Sequence, residues 1–263
     1  MRRVERATVV THGVTRNVDE ALARLAAVAE AAGVALLDGD GEASDLAVCL
    51  GGDGTMLRAL TRFLGTGVPV IGANFGRVGF LTAIPGEELE SGMARVFAGE
   101  YEVVSLPTLE VEVGGVSHHA VNDVVVVSGT AGRIVGIQYL LDGEDLGTQP
   151  CDGLLCATPP GSTAYNLSNG GPVLVWGLEA AVLTFVAPHT LHARPLVVGS
   201  GFKLEVVNRT PDVEAVVLAD GRQVGSLTTE ESVTVRFGTS RTMLATLPGQ
   251  TFFRRYAQVF GID

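Results

Sequence analysis

Asp45–Leu64 reads DLAVCLGGDGTMLRALTRFL, and this stretch decides the fold. Leu46–Leu50 is an unbroken apolar run of strand length, the pattern of a strand buried on both faces. Met56–Leu64, MLRALTRFL, repeats apolar residues at helical spacing. Between them stands Gly51-Gly52-Asp53-Gly54-Thr55. A buried strand, a glycine turn and a helix in direct succession form the repeating unit of a parallel α/β sheet, in which ligands bind beyond the carboxyl ends of the strands.

The same alternation extends to both sides. Ala7–Val10, Val34–Leu37 and Val68–Asn74 read as strands, and Asp19–Ala32 and Glu87–Ala98 as helices, the first of them stopped by Gly33. Near Tyr101 the texture changes. Leu109–Val113, Ala120–Ser128, Ile134–Gly143, Ala181–Pro188, Lys203–Asn208, Ala215–Gly221 and Ser232–Phe237 are short β-rich runs punctuated by glycine turns. GLLCAT (Gly153–Thr158) is a further strand. The expected organisation is an α/β domain over 1–102 with a Rossmann- or phosphofructokinase-like parallel sheet, and an all-β domain over 103–246. The remaining segment, 247–263, carries FFRRYAQVF, an amphipathic helix expected to pack back on the first domain.

Composition narrows the function classes. The chain has 263 residues, 46% of them hydrophobic, with 18 basic against 29 acidic side chains and a net charge of −11. Nucleic-acid binding, which runs on phosphate neutralisation by Lys and Arg, is not expected. Any bound polyanion must be held locally by amides, a few arginines and a metal ion. Three cysteines without C-x-x-C or zinc spacing read as buried hydrophobes. No apolar run is long enough to cross a bilayer and the start of the chain lacks a leader pattern, so the expectation is a cytoplasmic protein without a membrane partner.

The turn at Gly51–Thr55 exposes amides where a phosphate can approach, at the positive end of a helix. An aspartate repels phosphate, so Asp53 needs another purpose: general base toward an attacking hydroxyl, or indirect Mg²⁺ coordination, both parts of phosphoryl transfer. A helix-capping role for Asp53 or Thr55 is the plainer alternative. No P-loop motif is present.

Asn122-Asp123 interrupts an apolar strand. Asn suits the edge of an adenine and Asp a pair of ribose hydroxyls, or both are solvent-facing residues at a strand end. In Cys151–Pro172, CDGLLCATPPGSTAYNLSNGGP, a strand breaks at Pro-Pro-Gly and a short helix opens. Gly161 and Ser162 offer amides for a second anion position, Ser162, Thr163 and Ser168 offer hydroxyls, and Tyr165 a ring to pack near a base. Arg58 and Arg133 are contacts to phosphate or ribose, or solvated surface. His189 reads as a structural histidine of a turn, or as a catalytic one for which no partner is apparent, the His118-His119 pair as surface, and Asp220-Gly221 as a turn or the edge of a pocket.

Together, LGGDGTMLRA (Leu50–Ala59), GANFGRVGFLT (Gly72–Thr82), VNDVVV (Val121–Val126), DGLLCATPPGSTAYNLSNGGP (Asp152–Pro172) and APHTLHARPLVV (Ala187–Val198) resemble the NAD kinase family in order and spacing. GGDGT alone is shared with lipid kinases and phosphofructokinases; the STAY segment combined with PHTLxxRPL is far more specific. The resemblance implies phosphoryl transfer from ATP, another nucleoside triphosphate or polyphosphate, with Mg²⁺, to the adenosine-ribose 2′-hydroxyl of NAD. It implies a homodimer or homotetramer. Asp53 matches the family's base. Gly54, Asn122, Asp123, Thr163, Ala164, Tyr165 and Ser168 match NAD-binding positions, with Gly51, Gly52 and Thr55 beside the donor. Phe80 matches a residue lining the adenosine pocket, Asp152 one that holds the nicotinamide end in the assembled oligomer, and Arg58 and Arg133 contact positions. Pro160 stands where the family usually has Thr or Ser, and Pro150 where it often has Arg.

Overall fold

The computed structural model describes residues 3–12, 16–37, 44–76 and 79–261. In chain order the elements are β1 (Arg6–Thr11), α1 (Arg16–Ala32), β2 (Ala35–Leu37), β3 (Leu46–Leu50), α2 (Asp53–Arg62), β4 (Pro69–Asn74), β5 (Ile84–Pro85), α3 (Leu89–Phe97) and β6 (Glu102–Leu106). Next come β7 (Leu109–Val113), β8 (Val116–Ala120), β9 (Asp123–Ser128), β10 (Val135–Leu141), β11 (Glu144–Cys151), β12 (Gly153–Ala157) and α4 (Tyr165–Ser168). The chain continues through β13 (Ala180–Val186), β14 (Leu196–Gly199), β15 (Lys203–Asn208), β16 (Ala215–Ala219), β17 (Arg222–Leu227), β18 (Ser232–Phe237), β19 (Thr242–Thr246) and α5 (Phe252–Phe260).

Two compact units result. The first comprises Met1–Leu106 together with Arg241–Asp263, the second Pro107–Ser240. The first unit has a sheet in the order β2-β1-β3-β4-β19-β6, with β5 beside β4. All its pairings are parallel except β19 with β6. Residues 103–106 and 241–246, read from sequence as part of the all-β stretch, instead supply β6 and β19 to this sheet. Their short β-like pattern does not reveal which sheet they join, because pairing partners lie far away in sequence.

Alternate residues of β3 explain its continuous apolar run. Leu46, Val48 and Leu50 enter a core with Leu25 and Ala29 of α1 and Met93, Val96 and Phe97 of α3. Ala47 and Cys49, equally buried, point to the opposite face. Helix α2 packs on β3, β4 and β19 through Met56, Ala59 and Leu60. It begins at Asp53, earlier than the expected start at Met56, because Gly52 is its N-cap and the turn residues wind into its first turn.

The second unit has two antiparallel six-stranded sheets, β11-β10-β15-β18-β7-β8 and β14-β13-β12-β9-β16-β17. Period-2 alternation sorts the second sheet's side chains. Val124, Val126, Leu154, Cys156, Leu183 and Phe185 share a core with Val111, Ile137 and Val235 of the first sheet. Val125, Leu155, Ala157 and Val182 face the other way and are covered by Leu174. The segment following β12 therefore lies against the back of the second sheet, which fixes the STAY region.

Candidate active site

In the first unit, the turn after β3 is tied to the sheet by the Gly51 N–H, which donates to Ala73 C=O at 2.9 Å. Gly52 C=O accepts from Thr55 and Met56 N–H. Asp53 thus occupies the first helical turn, where the helix dipole favours a carboxylate and where the leading N–H groups have no intrahelical acceptor. Both its oxygens are engaged: Phe80 N–H donates to Oδ2 at 2.7 Å and Leu81 N–H to Oδ1 at 3.1 Å. Gly79 passes so close that a Cβ there would sit 2.2 Å from Asp53 Oδ1. Arg77 and Val78 of GRVGF lie outside the described residues.

The other expected contacts of this unit fall differently. Arg58, exposed on α2, meets His12 Nδ1 at 2.8 Å. The Phe80 ring is buried against Phe252 and Phe260 of α5, with centroids at 6.1 and 5.4 Å. Arg255, on the same helix, is 2% exposed and donates to the carbonyls of Phe80 and Thr82. It also borders a pocket with Asn74, Thr82, Glu87, Gln250 and Gln258.

In the second unit the reading of one strand over Ala120–Ser128 is corrected. β8 ends at Ala120, Val121 and Asn122 bend, and β9 starts at Asp123. The cause is Asp220, in the turn between β16 and β17 with φ +48°. Its carboxylate accepts from the N–H groups of Val121 at 2.8 Å, Asn122 at 2.7 Å and Asp123 at 3.2 Å. Its own N–H returns a bond to Asp123 C=O at 3.0 Å. Sequence reading placed Asp220 in a turn but missed this clamp.

Asp123 itself is buried, and burial, with the nearby Asp220 charge, pushes its carboxyl up to about 7. Folding therefore retains a proton that the unfolded chain, with a carboxyl near ~4, releases. Stability from this group is full below ~4 and is lost as pH rises through about 7. Asp123→Asn is expected to flatten the fall of melting temperature between about pH 5 and 8, and to raise it at pH 8 by ~2 °C or more. A melt at each pH checks this; an unchanged slope rejects it.

The turn after β12 corrects a second expectation. The amides of Gly161 and Ser162, read as an anion position, are already used: Gly161 N–H donates to Thr158 Oγ1 at 3.2 Å and Ser162 N–H to Thr158 C=O at 2.8 Å. Ser162 is fully buried, its hydroxyl donating to Pro159 C=O at 2.6 Å and accepting from Leu174 N–H at 2.9 Å. Buried Asn166, not singled out in the sequence, extends this frame by donating to Ser162 and Pro172 carbonyls and accepting from Thr184. Thr163 and Ala164 are half-buried beside it, and Tyr165 and Ser168 are exposed. Thr158 N–H donates to Asn122 C=O at 2.9 Å, so the frame and the Asn122-Asp123 bend meet.

Asp152 and Arg133, both exposed, are not part of that meeting point. In the β9–β12 register Asp123 stands opposite Ala157, and Val127 opposite Gly153, so Asp152 lies at the far end of the pair, with the loop that carries Arg133 following β9 at that end.

Comparison with known proteins covers both units. Residues 8–101 match the ATP-NAD kinase N-terminal domain family and residues 121–247 the ATP-NAD kinase C-terminal domain family. The chain is 38% identical to the NAD kinase of Gemmatimonas aurantiaca, over 82% of this chain and 77% of that one. It is 38% identical to that of Heliobacterium modesticaldum, over 80% and 76%. Among solved structures it is similar to an Archaeoglobus fulgidus NAD kinase in complex with ATP, with a TM-score of 0.79 and 29% identity over 98% of this chain and 100% of that one. It shares its fold with yeast NADH kinase complexed with NADH, with a TM-score of 0.86 and 19% identity over 99% and 88%.

Proposed function

The chain belongs to the NAD kinase family, and from that membership we infer the roles of its residues in an ATP-dependent phosphorylation of NAD. The protein is an enzyme that transfers a phosphoryl group from ATP to NAD. Asp53 is the general base: it takes the proton of the adenosine-ribose 2′-hydroxyl as that oxygen attacks the terminal phosphorus in line. The observation that supports this reading is the Asp53 carboxylate fixed by two backbone N–H groups in the first turn of α2, next to amides that have no helical acceptor. Those amides, from Gly52 to Gly54, face the donor's phosphates and offset the chain's net charge of −11 locally.

Asn122 and Asp123 bind the acceptor, with Thr163, Ala164, Tyr165 and Ser168 presented by the buried Ser162-Asn166 frame. Among the described residues no group of three or more His, Cys, Asp or Glu could hold a metal by itself. Mg²⁺ would be carried on the nucleotide's phosphates, with the Asp53 carboxylate of the glycine turn as its protein-side contact, and would neutralise phosphoryl charge there. In a cytoplasmic homodimer or homotetramer, Asp152 serves the nicotinamide end and Arg133 a phosphate or ribose.

The test is NADP formation by the purified chain from NAD, ATP and Mg²⁺, with polyphosphate tried as a second donor. NADP production with ³¹P signal at the 2′ position supports the reading. No NADP with either donor overturns it. Light scattering behind size exclusion tests the assembly, and a monomer at micromolar concentration rejects it.

A further inference from the structure

We propose that Arg255, on the C-terminal helix α5, is a positioning residue for Asp53 and acts on it through a single peptide unit. The inference rests on the reading of Asp53 as the base.

The connection is read directly from the hydrogen bonds. The Phe80–Leu81 peptide has its carbonyl on Phe80 and its N–H on Leu81. Arg255 donates to that carbonyl at 3.0 Å, and the N–H of the same unit donates to Asp53 Oδ1 at 3.1 Å. A cation at one end of a peptide dipole and a carboxylate at the other polarise it in the same sense, so each hydrogen bond strengthens the other. Arg255 also holds Thr82 C=O, which ties down the two sides of Leu81 at once. The guanidinium is buried; burial pulls it down and the Asp53 charge opposes that, leaving it at about 10 and cationic at neutral pH.

The rest of the helix serves the same end. Phe252 and Phe260 take the Phe80 ring between them, so the residue whose N–H holds Asp53 Oδ2 is anchored by α5 as well. Thr251 caps the helix by accepting from Arg254 N–H at 3.2 Å. Removing a charged donor from a buried carbonyl costs far more than removing a surface arginine. A base displaced by a fraction of an ångström loses rate without losing substrate binding, because geometry at the reacting atom enters the transition state and not the ground state.

The experiment is a double-mutant cycle in the full chain, with Asp53→Asn, Arg255→Gln, Arg255→Lys and the combined variants. It reads kcat and KM for NAD by NADP formation, Kd for NAD by calorimetry, and a thermal melt. Arg255→Gln is expected to lower kcat ~10-fold or more with Kd for NAD changed less than about threefold. Arg255→Lys, which keeps the charge and one donor, recovers part of that loss. In the Asp53→Asn background either Arg255 substitution lowers the residual rate by less than about twofold, because its effect runs through the carboxylate. An equal loss in both backgrounds, or a loss carried by Kd and the melt, overturns the proposal. If Arg255→Gln does not fold, Arg255→Lys decides: wild-type kcat rejects the role, and a kcat loss confined to the Asp53 background supports it. Full activity of Asp53→Asn would remove the base reading and this proposal together. An inactive Asp53→Asn beside a fully active Arg255→Lys removes this proposal alone.

Discussion

Asp53→Asn lowers kcat by about three orders of magnitude while NAD affinity stays within a few-fold. A positioned general base contributes roughly 10²–10⁴ in rate, and the amide cannot take a proton at neutral pH. The substitution preserves shape, but it has a structural cost that can be assigned. Both carboxylate oxygens accept backbone N–H groups, from Phe80 and Leu81. An amide has one oxygen and one NH₂, so one of those two N–H groups faces another donor. That loss is worth ~1–3 kcal/mol, or roughly 2–12 °C in melting temperature for a chain of this size. The variant therefore melts lower yet folds. Steady-state NADP formation and a melt on the same preparation separate the two effects; a kcat within tenfold of the wild type would sink the assignment.

Gly161→Ala is the second large effect, and it acts on stability and acceptor binding together. A Cβ at Gly161 would sit 2.0 Å from Asn122 O, 2.5 Å from its carbonyl carbon and 2.8 Å from its Cα. These are backbone atoms and cannot rotate away. Asn122 cannot retreat either: Thr158 holds its carbonyl from one side, and Asp220 holds its N–H at 2.7 Å from the other. Accommodating the methyl therefore means breaking the Asp220 clamp or lifting the segment after β12 off the sheet. Overpacking of this kind costs ~3 kcal/mol or more, a fall of roughly 6–12 °C. KM for NAD is expected to rise at least about tenfold. Gly199→Ala is the control, since nothing lies within 4 Å of the Cβ it would add. Equal melting temperatures for the two variants would show that the Asn122 bend moves freely.

The strand signal in the sequence was selective in a way the topology explains. The eight β-rich runs legible in the second unit are β7, β9, β10, β12, β13, β15, β16 and β18, and these are the interior strands of its two sheets. The four less legible strands, β8, β11, β14 and β17, are the four sheet edges. An edge strand meets solvent along one side, so sequences such as EDLGTQPC and RQVGSL carry no apolar run to read. Buried polar residues behaved in the opposite way. Ser162 looked like a ligand contact because hydroxyls near glycines usually are exposed, yet its neighbours Pro159 and Leu174 consume its hydrogen bonds.

By itself the sequence determined the strand–GGDGT–helix unit, the interior strands, the change of texture near Tyr101 and Asp53 as the one carboxylate of the glycine turn. Those are local properties: apolar periods of 2 and 3.6, and glycines where amides must be exposed. Only the tertiary structure decided that residues 242–246 insert between β4 and β6 in the first sheet, that Asp220 clamps three amides 97–99 positions earlier in the chain, and that Arg255 reaches carbonyls 173 and 175 positions earlier. The physical reason is the same in each case. A lone charged residue in sequence is expected in water, and nothing in its neighbours says otherwise. Its role comes into being when folding removes the water and leaves distant backbone groups as its partners.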